Sequence, residues 1–430
     1  MYRYLLPLSL VAFSLPAIAQ TATVLPGSTY ATTSATAARV GEPAGALTLQ
    51  AALALAMASN PDLSAAQNEL QAVEATVLQA NALPNPSLEL SVEDRRRETR
   101  ESTIQLSQPF ELGGKRSARM SAAERSRDAA AAELNGKRAE VRSSVITAFF
   151  DVLTAQERMR LAQESADLAQ KATSAASRRV AAGKVSPVEE TKARVEESSV
   201  RLELTQARST LTSARKRLSA TWGNPVPRFE RAEGELTTLP PLPEIDGMSQ
   251  RLGQAPALAR ARYEVDRRQA LAQVESSRRV PDVTVSLGVK RSEELGRNQA
   301  IVGLSVPLPF FDTNRGNVLE SLRRVDKARD ELAATEVRLD SELIEAYERL
   351  SVFRQEAESL QKEVIPGAQS AFDAATKGFE FGKFGFLDVL DAQRTLLQAK
   401  SQYLRALSEA HRAAADIDRI LGEPMSATKQ

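Results

Sequence analysis

The sequence predicts a mainly α-helical chain with a small β part, built as two copies of one unit: helix, β-hairpin, long helix, returning helix. Three observations predict it. The halves repeat one another at long range, apolar residues keep a four-then-three spacing over helical stretches of about 65 residues, and alternating stretches behind prolines interrupt that spacing once per half. Composition agrees, since aromatics are only 5% of the chain while Ala, Leu, Arg and Glu are abundant, which suits long packed helices and not a thick globular core.

The chain opens with Arg3, an apolar run from Leu5 to Ile18, and Ala17-Ile18-Ala19 as a small-x-small cleavage site. Residues 1–19 therefore read as a signal peptide, and the mature protein is predicted to leave the cytoplasm. Residues 20–46, with Thr-Ala runs broken by Pro26, Gly27, Pro43 and Gly45, are too small and polar to pack and read as a flexible leader. A first repeat spans 47–222, a Pro/Gly-rich connector 223–248, a second repeat 249–422, and a tail 423–430. In the connector, Pro225, Pro227, Pro240, Pro241 and Pro243 oppose continuous helix.

The repeats correspond residue by residue. Pro61-Asp62-Leu63 with Ala66 recurs as Pro256-Ala257-Leu258 with Ala261, 195 positions later, and Pro86 answers Pro281 at the same shift. Gly183-Lys184 and Gly382-Lys383 match at 199, as do Gly223 and Gly422, so the second copy carries a small net insertion, expected at Asp312-Thr313-Asn314.

Behind Pro86 and Pro281 come Ser87-Leu88-Glu89-Leu90-Ser91-Val92 and Asp282-Val283-Thr284-Val285-Ser286-Leu287, each alternating like a strand with one apolar face. Partners Ile104–Ser107 and Val302–Ser305 lie across Arg95-Arg96-Arg97-Glu98 and Glu293-Glu294-Leu295-Gly296, giving hairpins at about 87–109 and 282–307. Apolar-out, polar-in alternation fits a membrane barrel, and equally a pair of hairpins covering a helical bundle. After residue 20 no stretch of about 18 apolar residues exists, so a membrane crossing has to be a closed barrel. Barrels begin at about eight strands, so these four would be pooled among two, three or four copies.

The long helices carry seams: Val141, Val145, Ala148, Val152, Ala155, Met159 and Ala162 in one, and Leu339, Leu343, Ala346, Leu350, Phe353, Ala357, Leu360 and Val364 in the other. The returning helices show Val200, Leu204, Ala207, Leu211, Ala214 and Leu218, then Val389, Ala392, Leu396, Ala399, Tyr403, Ala406 and Ala410. Pro366-Gly367 predicts a kink or a point of bending.

Chemistry is sparse. With 56 basic and 55 acidic residues there is no footprint for nucleic acid, and without cysteine there is neither disulfide nor thiolate site. His411, the only histidine, reads as a packing or surface residue, so no metal site and no hydrolase triad is predicted. Gly113-Gly114-Lys115-Arg116 is no phosphate loop, because Pro109 stands where the first glycine is needed and Arg116 where Ser or Thr should be. No cofactor and no enzymatic activity are expected.

Two turns stand out. Ser186-Pro187-Val188-Glu189 reads as a helix start with Ser186 as cap and Glu189 closing a capping box, and Gly183 suits the end of the preceding helix. Asp388 and Asp391, three apart at the start of the last helix, point to one side; Asp388 alone would also complement the helix dipole.

Asn60-Pro61-Asp62-Leu63, Ser107-Gln108-Pro109-Phe110, Gly382-Lys383 and Asp388-Val389-Leu390-Asp391-Ala392-Gln393, over Leu47 to Gly422, resemble the TolC-like outer-membrane factor family of tripartite efflux systems. Pro109 to Arg116 looks closest to its heavy-metal branch, the outer components of cobalt-zinc-cadmium RND pumps. The resemblance implies a homotrimer in the outer membrane of a Gram-negative bacterium, its twelve-stranded β-barrel continuing into a twelve-helix periplasmic α-barrel. It further implies a passive exit duct meeting a periplasmic adaptor and an inner-membrane RND-type pump. Adaptor-contact tips would be Gly183, Lys184 and Val185 with Gly382, Lys383 and Phe384, and Asp388 with Asp391 would form an acidic ring at the periplasmic gate. Where some members close the gate with tyrosine and arginine, this sequence has Phe379 and Phe384, which leaves Glu189 without its expected partner. Multidrug or type I secretion ducts share these expectations. A coiled-coil adaptor or scaffold explains the helices but not the hairpins.

Overall fold

A computed structural model describes residues 41–381 and 383–422. The predicted signal peptide, the leader to residue 40, Gly382 and the tail 423–430 lie outside the described residues. The element order is β1 (Ala46–Thr48), α1 (Leu49–Ser59), α2 (Pro61–Asn81), β2 (Ser87–Glu93), β3 (Glu101–Phe110), α3 (Lys115–Ala181), α4 (Pro187–Ala220) and β4 (Arg231–Glu233). It continues with α5 (Ile245–Leu252), α6 (Pro256–Ser277), β5 (Val283–Ser292), β6 (Arg297–Ser305), α7 (Arg315–Ser359), α8 (Ile365–Glu380) and α9 (Phe386–Leu421). None of the described helices is long and apolar enough to cross a membrane.

Helices α1 and α2 start where the sequence supplies an acceptor. Thr48 Oγ1 accepts from the Ala51 N–H at 3.3 Å, and Asn60 Oδ1 accepts from the Leu63 N–H at 2.9 Å. Asn60 also donates from Nδ2 to the Thr221 carbonyl at 2.7 Å, tying the start of α2 to the end of α4. Each repeat closes the same way. Gly223 (φ 77°) packs against Pro61 and Gly422 (φ 80°) against Pro256, where an added Cβ would meet proline carbons at 3.3 Å and 2.6 Å. Both the left-handed backbone and the close contact require glycine there.

On either side of mid-length the helices lie side by side. In one half α2 packs on α3, α3 on α6 and α6 on α7; in the other α4 packs on α3, α3 on α9, and α9 on α7 and α8. The first long helix runs 67 residues without a break, about 100 Å. Its seam is in place: Val145 and Val152 are fully buried and Val141 and Ala155 nearly so, facing Leu211, Ala214 and Leu218 of α4. A second cluster joins Leu339, Leu343 and Leu350 of α7 to Ala410, Ile417 and Ile420 of α9.

The expected seam of α7 fails at Val364, which is 44% exposed. Residues Leu360–Val364 form one π-helical turn, in which the Ile365 N–H donates to the Leu360 carbonyl five residues back. Pro366 offers no N–H and its ring crowds the carbonyl four residues earlier, so the chain takes in one extra residue ahead of it. The seam therefore steps from Leu360 to Ile365 and resumes at Ala368 and Ala375.

The connector is more structured than its prolines suggest. β4 pairs in parallel with β1, Ala46 opposite Arg231 and Thr48 opposite Glu233, and α5 begins at Ile245. Composition places residues up to 46 in an unpacked leader, yet Glu42 is clasped by four donors. Its carboxylate accepts from Trp222 Nε1 (3.3 Å), Asn224 Nδ2 (2.5 Å) and the backbone N–H groups of Arg228 (2.6 Å) and Phe229 (3.2 Å). A charge-assisted clasp of this kind overrides the disorder that small polar residues favour.

The hairpins join edge to edge into one antiparallel sheet of order β2-β3-β5-β6. Leu88 pairs with Leu106, Leu106 with Leu287 and Leu287 with Val302, so apolar residues align across one face. Serines align across the other, where the Ser107 and Ser286 hydroxyls are 2.9 Å apart. The extra length of the second repeat lies in the segment 306–314 that joins β6 to α7, against 111–114 in the first repeat. It includes the expected Asp312-Thr313-Asn314 turn and brings Leu308, Phe310 and Phe311, all strongly exposed.

Candidate functional site

Two helix-to-helix turns, α3–α4 and α8–α9, lie together at the end of the molecule away from the sheet. α3 ends in a Schellman turn: the Lys184 N–H reaches the Arg179 carbonyl and the Gly183 N–H the Val180 carbonyl, both at 2.9 Å, with Gly183 left-handed (φ 65°). The second turn repeats the long bond, from the Lys383 N–H to the Gly378 carbonyl at 2.7 Å. Gly382 lies outside the described residues. Gly183, Lys184, Lys383 and Phe384 are exposed and Val185 is half-buried.

The helices leaving these turns are capped differently. Ser186 Oγ accepts from the Val188 N–H at 3.3 Å, and the Glu189 N–H bonds the Ser186 carbonyl, so the capping box expected with Glu189 is not the arrangement adopted. The Ser186 hydroxyl thus bonds the second helical residue and not the third, unlike Asn60 in α2, where Pro61 holds the same first position. The Glu189 side chain is half-buried and Glu190 takes the ion pair, with Arg194 at 2.5 Å. At the start of α9 the exposed Asp388 carboxylate accepts from the Gly385 N–H at 2.8 Å, so Asp388 acts as a cap in this chain. Asp391, one turn on, lines a groove of about 510 Å3 between α4 and α9 with Thr191, Lys192, Val195, Glu196 and Arg394. Across it, Arg394 pairs with Glu196 at 3.3 Å.

Phe379 has a partner across the tip. The Arg179 guanidinium lies 4.0 Å over the Phe379 ring, joining the first helical hairpin to the second. Phe379 also packs with Leu390 beside Ala172, Ala176 and Ala193, a contact that only small residues on α3 and α4 permit. Phe384 folds back over Gly378, where an added Cβ would fall 2.0 Å from the ring. Arg179 was not singled out from sequence. Its only local mark is its place in the last turn of α3, where cations suit the dipole.

His411 packs far from these turns. It is buried, stacks on Phe150 with centroids 3.6 Å apart, and donates from Nε2 to the Leu236 carbonyl at 3.2 Å. Burial lowers its pKa to about 4, so the ring is neutral at pH 7. Among the described residues no group of three or more His, Asp or Glu stands close enough to hold a metal ion.

The pattern of the outer membrane efflux protein family matches residues 52–224 and 247–423. The chain is 52% identical, over 89% of its length and 91% of the relative's, to the cobalt-zinc-cadmium resistance protein CzcC of Cupriavidus metallidurans. It is 32% identical, over 69% of each chain, to the nickel and cobalt resistance protein CnrC of the same organism. Its fold is similar to that of a membrane protein from Pseudomonas aeruginosa (TM-score 0.77, 18% identity, 87% of this chain and 90% of that one). The Campylobacter jejuni CmeC outer membrane channel is similar too (TM-score 0.76, 17% identity, 87% of this chain and 85% of that one). Sequence match over both repeats and fold match over most of the chain agree, and the protein belongs to the outer membrane efflux protein family.

Proposed function

We propose that the chain is one protomer of a trimeric exit duct in the outer membrane, the outer component of a tripartite efflux pump. The observation that carries this reading is the sheet. One of its faces is apolar and exposed over all four strands (Leu88 64%, Ile104 56%, Leu287 56%, Val302 78%), and the outer edges of β2 and β6 are unpaired among the described residues. Exposed apolar strands with open edges are costly in water and suit a closed barrel in lipid. Three copies pool twelve strands, with Phe310 and Phe311 at the base where aromatic side chains favour the lipid interface.

Helical flanks support the same closure. Val188, Val195 and Leu202 repeat every seven residues along α4, and Val337 and Ile344 do so along α7, all of them exposed. Pairing one protomer's α4 edge with the next one's α7 and α8 edge buries both stripes and yields a twelve-helix tunnel.

The relative at 52% identity is named for cobalt, zinc and cadmium resistance, which supports heavy-metal cations as cargo. Conduction is passive, driven by an RND-type pump that connects through a periplasmic adaptor docked at Gly183, Lys184, Val185, Gly382, Lys383 and Phe384. Asp388 and Asp391, repeated three times, supply a ring of six carboxylates favouring cations at the periplasmic mouth, with Glu189, Phe379 and Phe384 beside the gate. Two measurements test the reading. Outer-membrane extract in mild detergent is expected to give three chains per particle, and in planar bilayers the paired variant Asp388→Ala/Asp391→Ala is expected to lose cation preference at least severalfold. A soluble monomer would overturn the duct; unchanged selectivity would overturn the ring alone.

A further inference from the structure

The first hairpin turn carries Arg95, Arg96, Arg97 and Arg100 within six residues, all exposed. It lies at the end of the sheet opposite the helices, because α2, α3, α6 and α7 all join the strands at their other ends. A stacked run of like charges is unfavourable unless something anionic meets it. Glu98 lies in the same turn without an ion pair among the described residues, and three other carboxylates around it are already engaged. Asp94, itself in a left-handed turn (φ 64°), accepts from the Arg96 N–H at 3.0 Å and from the Thr99 hydroxyl. Glu293 pairs with Arg291 at 2.8 Å, and Glu101 pairs with Lys290. Arg95, Arg96 and Arg97 have no ion-pair partner among the described residues, Arg97 meeting Glu293 only through the longer-range field.

Place adds to charge. The exposed apolar face of β2 runs through Leu88, Leu90 and Val92 and gives way to Asp94 and the first arginine within three residues. The Glu293 N–H donates to the Arg100 carbonyl at 3.0 Å, so the second turn, with Arg297, stands level with the first. An apolar band ending abruptly in guanidiniums matches a lipid–water boundary that bears phosphates. Guanidinium forks bind phosphate oxygens in pairs, and each cation near an anionic lipid surface gains further from the surface potential.

We propose that the Arg95-Arg96-Arg97 turn is a phosphate-binding collar that seats the outward end of the sheet in the phosphorylated headgroups of the surrounding lipid. The proposal rests on the membrane reading above.

The test uses the full mature protein in dodecyl maltoside, titrated with mixed micelles of lipid A, of dephosphorylated lipid A, or with inorganic phosphate, and read by thermal shift. Phosphorylated lipid A is expected to raise the melting temperature saturably, with R95Q/R96Q/R97Q shifting half-saturation at least tenfold, from roughly fivefold per arginine. The single variants R95Q and R97Q should give smaller shifts in the same direction. An unchanged midpoint in the triple variant overturns the collar, and so does an equal response to dephosphorylated lipid A or to inorganic phosphate. Loss of native mass by the triple variant in plain micelles overturns it too, and assigns the arginines to contacts between copies. A wild-type chain that proves water-soluble and monomeric fails the membrane reading itself, a result separable from these.

Discussion

His411 shows how one buried ring sets an acid limit. Its ordinary pKa of 6.5 falls to about 4 in the folded chain, so between those values the unfolded chain holds the proton and the folded one does not. Stability from this group is fully present above pH 6.5 and is lost as pH falls toward 4, by about 3 kcal/mol at most. Melting of the detergent-solubilised protein is expected at lower temperature at pH 5.0 than at pH 7.5, with His411→Gln flattening the difference; an equally steep variant would remove His411 as the cause. At the tip, Arg179→Ala removes a contact of about 0.5–2 kcal/mol between the two hairpins. Channels of this variant should open more often in planar bilayers at unchanged native mass, and Arg179→Lys should fall between. Gly378→Ala should disturb the tip, with Phe384→Ala restoring it, because the added methyl and that ring compete for one space.

Elements behave as their seams dictate. The π turn at Leu360–Val364 holds one residue more than an α turn, and the seam absorbs it by moving from Leu360 to Ile365. Removing Gln361 together with Pro366→Ala should convert this turn to α-helix and keep Ile365 in the seam. Removing Glu345, inside the regular part of α7, should instead rotate every following seam residue by about 100° and prevent assembly. Native mass after detergent extraction distinguishes the two. The four-then-three spacing is legible in α3 and α9 because each turn repeats the same demand. The step at Leu360 was not legible, since a proline announces a disruption without saying whether the chain kinks, breaks or takes in a residue.

At the scale of the whole molecule, the sheet's apolar face and the two helical flanks ask for other copies or lipid. Leu90→Arg on that face is expected to weaken membrane insertion by about 2–4 kcal/mol, read as protein lost from the outer-membrane fraction. Glu89→Arg, on the opposite face, should leave the fraction unchanged and alter conductance. The first hairpin turn belongs to this scale as well, since its arginines only acquire a role once the sheet's orientation relative to the helices is known.

The sequence by itself determined the duplicated plan, the hairpins, most of the seam and the position of the tip turns. These rest on periodicity, prolines and glycines, which act through local backbone geometry and so leave local marks. Gly223 against Pro61 and Gly422 against Pro256 are such marks, recognisable because they recur. Only the tertiary structure decided that Glu42 clasps the connector from the far end of the first repeat. It likewise decided that Arg179 covers Phe379, 200 positions away, that Asp388 spends its carboxylate on a cap, and that His411 lies buried against Phe150. Contacts between residues so distant along the chain are chosen by which helices become neighbours, and no spacing within either partner's own segment encodes that choice.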